Sequence, residues 1–344
     1  MRILAIESSC DDTGAAVVET NQSLISVISN VVSSQIELHQ KFGGVVPELA
    51  AREHVGNVVP VINTALERAG IDIKHAKDCL AAIAVTSGPG LITSLMVGVE
   101  TAKALALAWD LPLISVNHIE GHIHANFIDR NDIQLPAIVL TVSGGHTNLV
   151  TMDKDGILAI VGQTRDDAAG EAFDKAAQLM DLGYPGGPIV SKLAGEVSAE
   201  VRSKYHINLP RPMINSHDLD FSFSGLKTAL LYALKNDADW REKIPSYCNA
   251  FESAIVDVLV SKTLAAAKQH DVKTIMLSGG VSANRKLRAA LSESAERLGY
   301  QFSAPALAYT SDNAAMIGAA ACIKLSQNRF ADVYSLTAEP NQEI

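Results

Sequence analysis

Arg2-Ile3-Leu4-Ala5-Ile6-Glu7 reads as a short apolar strand. It runs into the polar turn Ser8-Ser9-Cys10-Asp11-Asp12-Thr13-Gly14, after which residues 15–19 return as a second strand. The same plan recurs further along: an apolar strand at 137–142, the turn Ser143-Gly144-Gly145-His146-Thr147, and a returning strand at 148–152. Each strand–turn–strand unit opens one half of the chain, so a duplicated architecture is expected, and the alternation of strands with helical stretches in between is that of an α/β fold. Composition agrees. The 344 residues are 48% hydrophobic but only 5% aromatic, as where helices pack on sheets through small aliphatic side chains.

Several classes are disfavoured. No uninterrupted apolar run reaches the roughly 18 residues that a bilayer requires, so no membrane partner is expected. Only Ile3 to Ile6 separate Arg2 from Glu7, too little for a signal peptide. Cys10, Cys79, Cys248 and Cys322 are dispersed without a C-x-x-C pair, which argues against a disulfide framework or a zinc ribbon and fits a cytoplasmic protein. A net charge of −10 argues against tight binding of nucleic acid by this chain alone.

Glycine-rich loops punctuate strand ends. Thr86-Ser87-Gly88-Pro89-Gly90 follows an apolar strand and opens a helix at 91–109; Tyr184-Pro185-Gly186-Gly187-Pro188 precedes another helix; Ser278-Gly279-Gly280-Val281-Ser282-Ala283-Asn284 follows the strand 274–277 and leads into a helix near Arg285. Such loops let backbone N–H groups approach an anion, with the helix N-terminus adding its positive end. There is no G-x-x-x-x-G-K-[ST] and no strand-linked G-x-G-x-x-G. Two hairpin turns plus these loops are similar to the actin-like phosphotransfer proteins, built from two duplicated halves that offer hairpin turns to a nucleotide in a central cleft.

The string Asn117-His118-Ile119-Glu120-Gly121-His122 carries the metal chemistry. Histidines four apart on a helix share a face and can close on one divalent ion, or simply be polar or satisfied core residues. At about 100° per residue, Glu120 points away from both, so it cannot act as the general base of an H-E-x-x-H protease. Asn117 and Glu120 instead have capping-box spacing. His124 is rotated off the face and reads as structural. Asp312, at the start of a helix at 314–325, is either a first-turn acid favoured by the dipole or the oxygen ligand the histidines lack. Asp174 could accept ribose hydroxyls or belong to a surface charge pair with Lys175. Asp11 and Asp12 could serve the cleft or only the turn.

Taken together, VSGGHT (142–147), NHIEGH (117–122), YPGGP (184–188), FSFSGLKTA (221–229), SGGVSAN (278–284) and FGGVVPELAAREH (42–54) closely resemble the TsaD family of tRNA adenosine threonylcarbamoyltransferases, formerly called sialoglycoprotein endopeptidases. The resemblance runs in unbroken order from Met1 to about Gly318. It implies an actin-like ATPase fold of two RNase H-like halves, residues 1–130 plus about 315–344, and 131–314 with helical insertions. It implies transfer of the threonylcarbamoyl group from threonylcarbamoyl-AMP to N6 of the adenosine just 3′ of the anticodon, in tRNAs reading codons that begin with A. By motif, His118, His122 and Asp312 take the metal-ligand positions, with Fe²⁺ favoured and Zn²⁺ accommodated. Thr141, Val142, Ser143, Gly144, Gly145, Asp174, Gly187 and Asn284 match substrate-adenylate contacts, and Asp11 sits in a catalytic turn. Two departures stand out: Asp12 replaces a common glutamate, and Ser191 stands where some relatives have an acid, so no role is carried over to it.

An acyl-adenylate is already activated and needs no serine or cysteine nucleophile. A metal would hold and polarise the threonylcarbamoyl group, N–H groups would bind phosphate, and Asp11 is the candidate base. The tRNA substrate sits uneasily with an acidic chain. The basic clusters are Arg202, Lys204, His206 and Arg211, then Arg285, Lys286 and Arg288. A surface shared with a TsaB-like paralogue and a TsaE-like P-loop ATPase, the partners that the resemblance implies, would resolve the conflict. The rival readings are an actin-like small-molecule kinase, a non-catalytic scaffold and, least supported, a metalloprotease.

Overall fold

The computed structural model describes residues 1–21, 24–198 and 205–344. They form two compact units, Met1–Ile133 with Pro305–Ile344, and Gln134–Ala304. The chain thus returns to its first unit at Pro305 rather than near 315, which brings Asp312 into the same unit as the two histidines.

In the first unit, β1 (Arg2–Glu7), β2 (Asp12–Asn21), β3 (Leu24–Ser34), β4 (Ala82–Gly88) and β5 (Leu113–Asn117) form one sheet in the order β3-β2-β1-β4-β5. The β1–β2 and β2–β3 pairs are antiparallel; β1–β4 and β4–β5 are parallel. β1 lies in the middle and alternates its side chains. Leu4 and Ile6 pack with the helices Pro47–Arg68 and Ile92–Trp109, whereas Ile3 and Ala5 pack with the helix Ala314–Ser326. Burial on both faces is why this strand reads as a continuous apolar run. Glu7 pairs with Gly14, so β2 begins at Asp12 and the turn is only four residues, 8–11, shorter than the sequence suggests.

The second unit repeats the plan. β6 (Ala137–Val142), β7 (Thr147–Met152), β8 (Leu158–Gln163), β9 (Thr274–Ser278) and β10 (Gln301–Ser303) lie in the order β8-β7-β6-β9-β10, with the same parallel and antiparallel senses. This is the RNase H-like order twice over, the duplicated actin-like fold. Its core gathers β6, Phe173 and the long helix Ile244–Gln269, in which Phe251 meets Phe173 edge-on with ring centroids 5.9 Å apart.

The helix Ile92–Trp109 is 18 residues with a mean hydropathy of 1.2, long and apolar enough by composition to cross a membrane. Here Leu95, Val99, Ala102 and Ala106 bury one face in the core of the first unit, and Glu100 pairs with Lys103 on the same helix. It is a core helix with an apolar outer face.

Candidate metal centre and nucleotide cavity

β5 ends at Asn117, whose side chain accepts the N–H groups of Ile119 and Glu120 and so starts the helix His118–His124 immediately. That cap fixes which way the helix face points. His118 and His122 stand together with ring centroids 4.7 Å apart. Asp312 lies one residue before Asn313, which caps the helix Ala314–Ser326 through Met316 N–H. Because Asn313 does the capping, Asp312 is left to face the histidines. Its Oδ1 is 3.5 Å from His118 Nε2 and 3.2 Å from His122 Nε2. One ligand atom from each of the three residues lies within 4.8 Å of the others. Two imidazole nitrogens and a carboxylate oxygen suit a divalent transition metal.

The charges are those of a site built for a cation. Burial works against a charged His118, but Asp312 and Glu7 overcome it and lift the imidazole to about 10. Burial and the neighbouring His118 charge outweigh the pull of Asp312 and hold His122 below its ordinary value. Burial would raise Asp312, yet the two histidines bring it well below the usual carboxylate range.

Glu120 does not complete a capping box. Its carboxylate pairs with Lys324 Nζ at 2.7 Å, which keeps it from the role of a metal-site base. His124 points its Nδ1 at the Glu120 carbonyl, 2.7 Å away, as a structural residue would.

Asp11 and Asp12 lie in the same unit as the metal residues. Burial raises Asp11, with the Asp312 charge adding to it. Asp12 is raised further, to about 7, by burial and by the charges of Asp312, Asp11 and Glu7; its Oδ1 is buried with no hydrogen-bond partner among the described residues. Its sequence signal was the acidic pair itself. Burial and the Asp11 charge push the Cys10 thiol far up, away from the reactive thiolate form.

The second unit encloses a cavity of about 980 Å³ whose lining includes Gly144, Asp174, Gly187 and Asn284. A side chain added at Gly144 would meet nothing within 4 Å, and at Gly187 only Phe173 Cβ at 3.9 Å. These glycines are open to the cavity. Asp174 is no partner of Lys175, which pairs with Asp167 and Glu171; its Oδ1 accepts Gly186 N–H at 2.7 Å and holds the YPGGP turn against its helix. Asn284 caps the helix Arg285–Leu298 through Leu287 N–H, and its Nδ2 donates to Ser191 Oγ and Glu252 Oε1, both at 2.8 Å. Thr141 and Val142 are fully buried in β6, and the Thr141 hydroxyl is paired with Ser278 Oγ at 2.8 Å. Ser143 joins its turn through the His146 carbonyl and N–H, while Gly145 has open space around it. Ser191 and Glu252 line the cavity too; sequence reasoning passed over the first and had no signal for the second, an acid inside a long apolar helix.

Two sequence readings change. The loop at 86–90 does not cradle a nucleotide: Ser87 O accepts Glu339 N–H at 2.7 Å and Gly90 N–H donates to Pro340 O at 3.1 Å, so the loop is covered by the C-terminal segment. The basic clusters are also less available than their spacing implied. Arg211 is held by Asp257 at 2.9 Å and by the Leu209 carbonyl, and Lys286 Nζ donates to Ser253 Oγ at 2.5 Å. Arg202 and Lys204 lie outside the described residues.

The TsaD model, described as tRNA N6-adenosine threonylcarbamoyltransferase, matches residues 26–319. Proteins of that name from Halalkalibacterium halodurans and Bacillus subtilis are 45% and 46% identical to this chain, over 99% and 100% of it and 96% of each relative. Among solved structures, full-length HypF in its phosphate- and nucleotide-bound form superposes over 96% of this chain and 47% of its own, with a TM-score of 0.63 at 13% identity. Component A of the (R)-2-hydroxyglutaryl-CoA dehydratase of Acidaminococcus fermentans covers 93% of this chain and 96% of its own, with a TM-score of 0.53 at 14% identity. At such identities these two speak for the fold alone, whereas the family model and sequence relatives at 45–46% identity span most or nearly all of the chain: the chain belongs to the TsaD family of tRNA N6-adenosine threonylcarbamoyltransferases.

Proposed function

We propose that this chain transfers the threonylcarbamoyl group from threonylcarbamoyl-AMP to N6 of the adenosine 3′ of the anticodon, in tRNAs reading codons that begin with A. The observation that carries the reading is the convergence of His118, His122 and Asp312, some 190 residues apart in sequence, in a chain of this family. These residues would hold one divalent metal, Fe²⁺ by family resemblance or Zn²⁺ by donor type. When bound, the ion would act as a Lewis acid on the carbonyl under attack. The donor set fits: both histidines are buried, each points Nε2 at the same carboxylate oxygen, and Asp312 is a quarter exposed, which leaves the group accessible.

The chain's own residues would do the rest. In the second unit, the open backbone at Gly144, Gly145 and Gly187 would bind the adenylate phosphate, and Asp174 and Asn284 would orient the nucleoside. Backbone groups of residues 141–143 would contribute through the turn they support. Asp11 would take the proton from N6, with the raised Asp12 beside it in sequence as the second candidate. A kinase reading gains nothing from a His-His-Asp group, and a protease reading has no base at Glu120. The tRNA would be bound together with a TsaB-like paralogue and a TsaE-like P-loop ATPase, since the chain is acidic overall and Arg211, Lys286 and Arg288 of its basic clusters are held by internal partners.

The test couples elemental analysis of the purified chain with a transfer assay on unmodified tRNA, supplied with threonylcarbamoyl-AMP and the two partners. Stoichiometric metal and modified adenosine are expected. Nucleotide-dependent phosphorylation of a small molecule, without modified tRNA, would overturn the reading in favour of a kinase.

A further inference from the structure

Glu7 ends β1, the central strand of the first unit, and is fully buried. An ionised carboxylate there carries a desolvation cost of several kcal/mol unless every lone pair is used. Three donors use it. Oε1 accepts Ser9 N–H at 2.5 Å, Oε2 accepts the Thr86 hydroxyl at 2.6 Å, and Oε2 also lies 3.3 Å from His118 Nδ1. Ser9 Oγ approaches the same ring nitrogen at 3.1 Å.

We propose that Glu7 is the positioning residue of the metal centre, holding His118 Nδ1–H so that Nε2 is presented to the ion. This rests on the metal reading above. An ionised carboxylate only accepts, so the shared hydrogen belongs to the imidazole Nδ1, and the lone pair is left on Nε2, the nitrogen that faces Asp312. Thr86 from β4 and the Ser9 backbone fix the carboxylate from two other directions, so the ring is oriented by the sheet itself. The two histidines are unequal in this respect: His122 Nδ1 is buried with no partner among the described residues. His118 is the anchored ligand and His122 the adjustable one. Glu7 and Asp312 together also bring two negative charges to a buried place, the number that a divalent ion neutralises. A carboxylate behind a ligating imidazole increases its basicity and typically accounts for 10–100-fold in metal affinity.

The plain alternative is that Glu7 only ties the turn through Ser9. Titration of Co²⁺ into the metal-free full-length protein, followed by its visible d–d bands, separates the two, with AMP binding and thermal melting as checks on the fold. Glu7→Gln keeps the size but cannot accept from all three donors; we expect a loss of Co²⁺ affinity of about 10–100-fold and shifted bands, with AMP binding retained. Thr86→Val removes one hold on Glu7 without touching His118, and should give a smaller loss in the same direction. A folded Glu7→Gln protein with wild-type affinity and bands overturns the proposal; if that variant does not fold, wild-type Co²⁺ affinity in Thr86→Val overturns it. Failure of the wild-type chain to bind Co²⁺ would overturn the metal reading itself, and this inference with it.

Discussion

β4 and β9 hold corresponding places in the two repeats, each lying next to the first strand of its sheet and each ending in a glycine loop that opens a helix. Their loops have opposite occupants. A Cβ at Gly88 would sit 1.9 Å from the Glu339 carbonyl oxygen and one at Gly90 2.5 Å from the Ser9 carbonyl oxygen, so the first loop is glycine-rich because the chain's own C-terminal segment and first turn lie on it. After β9, Gly279 is filled by the Val142 backbone at a φ of +83°, but Gly280 has nothing within 4 Å and lines the cavity. Glycine after a strand permits close approach of another group. It does not say whether that group is a ligand or the protein itself. At these two corresponding loops, Gly88 of the first unit is taken up by packing against the chain itself, whereas Gly280 of the second stays open to the cavity. On the function proposed above, the first unit would supply polar side chains for a metal and the second open backbone for a nucleotide.

The strongest way to break this division of labour is to remove the metal residues. His118→Ala and Asp312→Ala should each abolish bound metal and threonylcarbamoyl transfer while AMP still binds to the second unit. Loss of AMP binding in these variants would show that the two functions are not separable by unit.

The glycines give the next largest contrast. Gly144→Val or Gly187→Val should eliminate adenylate binding with melting within roughly 0.5 kcal/mol of the parent, the range of exposed substitutions. Gly88→Ala should do the reverse, destabilising the protein by about 1–3 kcal/mol through overpacking against a backbone that cannot move aside easily. Calorimetric melting and AMP titration of all three check the pairing; equal melting losses would erase the distinction between open and packed glycines.

Asp174 sharpens the comparison within the cavity. Asp174→Asn retains an oxygen for Gly186 N–H but not the charge, and nucleoside affinity should fall by about 1.5–3 kcal/mol if the carboxylate accepts ribose hydroxyls. An unchanged dissociation constant would leave Asp174 with the turn alone.

The smallest effect is a pH dependence belonging to the first unit. Burial holds His54 below its ordinary value of 6.5, with Thr13 Oγ1 2.7 Å from Nδ1 and the Cys10 carbonyl 2.9 Å from Nε2. The folded protein resists a proton that the unfolded chain accepts, so this contribution is full above pH 6.5 and declines below it, by at most about 1.4 kcal/mol per pH unit. His54→Gln should flatten the decline in melting temperature between pH 6.5 and 5; an unaltered slope would assign the acid sensitivity elsewhere.

Much of this was legible in the chain. The hairpins 2–19 and 137–152 are local, and a strand buried on both faces announces itself as an apolar run. The histidine pair was readable because four residues of helix bring two side chains to one face, and Asn117 marks where that helix begins. Other features had no local signature. Glu7 meets Thr86 and His118 from 79 and 111 residues away, and in the sequence it looks like the ordinary polar end of a strand. Glu120 had the spacing of a cap and found Lys324 instead, because an ion pair with another helix competes with a reciprocal backbone bond. Asn284 was visible as the end of a loop, but its bonds to Ser191 and Glu252 depend on three separate segments meeting.

The sequence by itself determined the periodicities, the caps and the turns, since these depend on neighbours within a few residues, and with them the duplicated fold, the ligand types and the family. Only the tertiary structure decided which glycines face a cavity and which face the chain, which acid stands behind His118, and which charges are already paired. Those outcomes depend on what lies across the sheet or beyond the loop, and the atoms that decide them are contributed by residues scores of positions away.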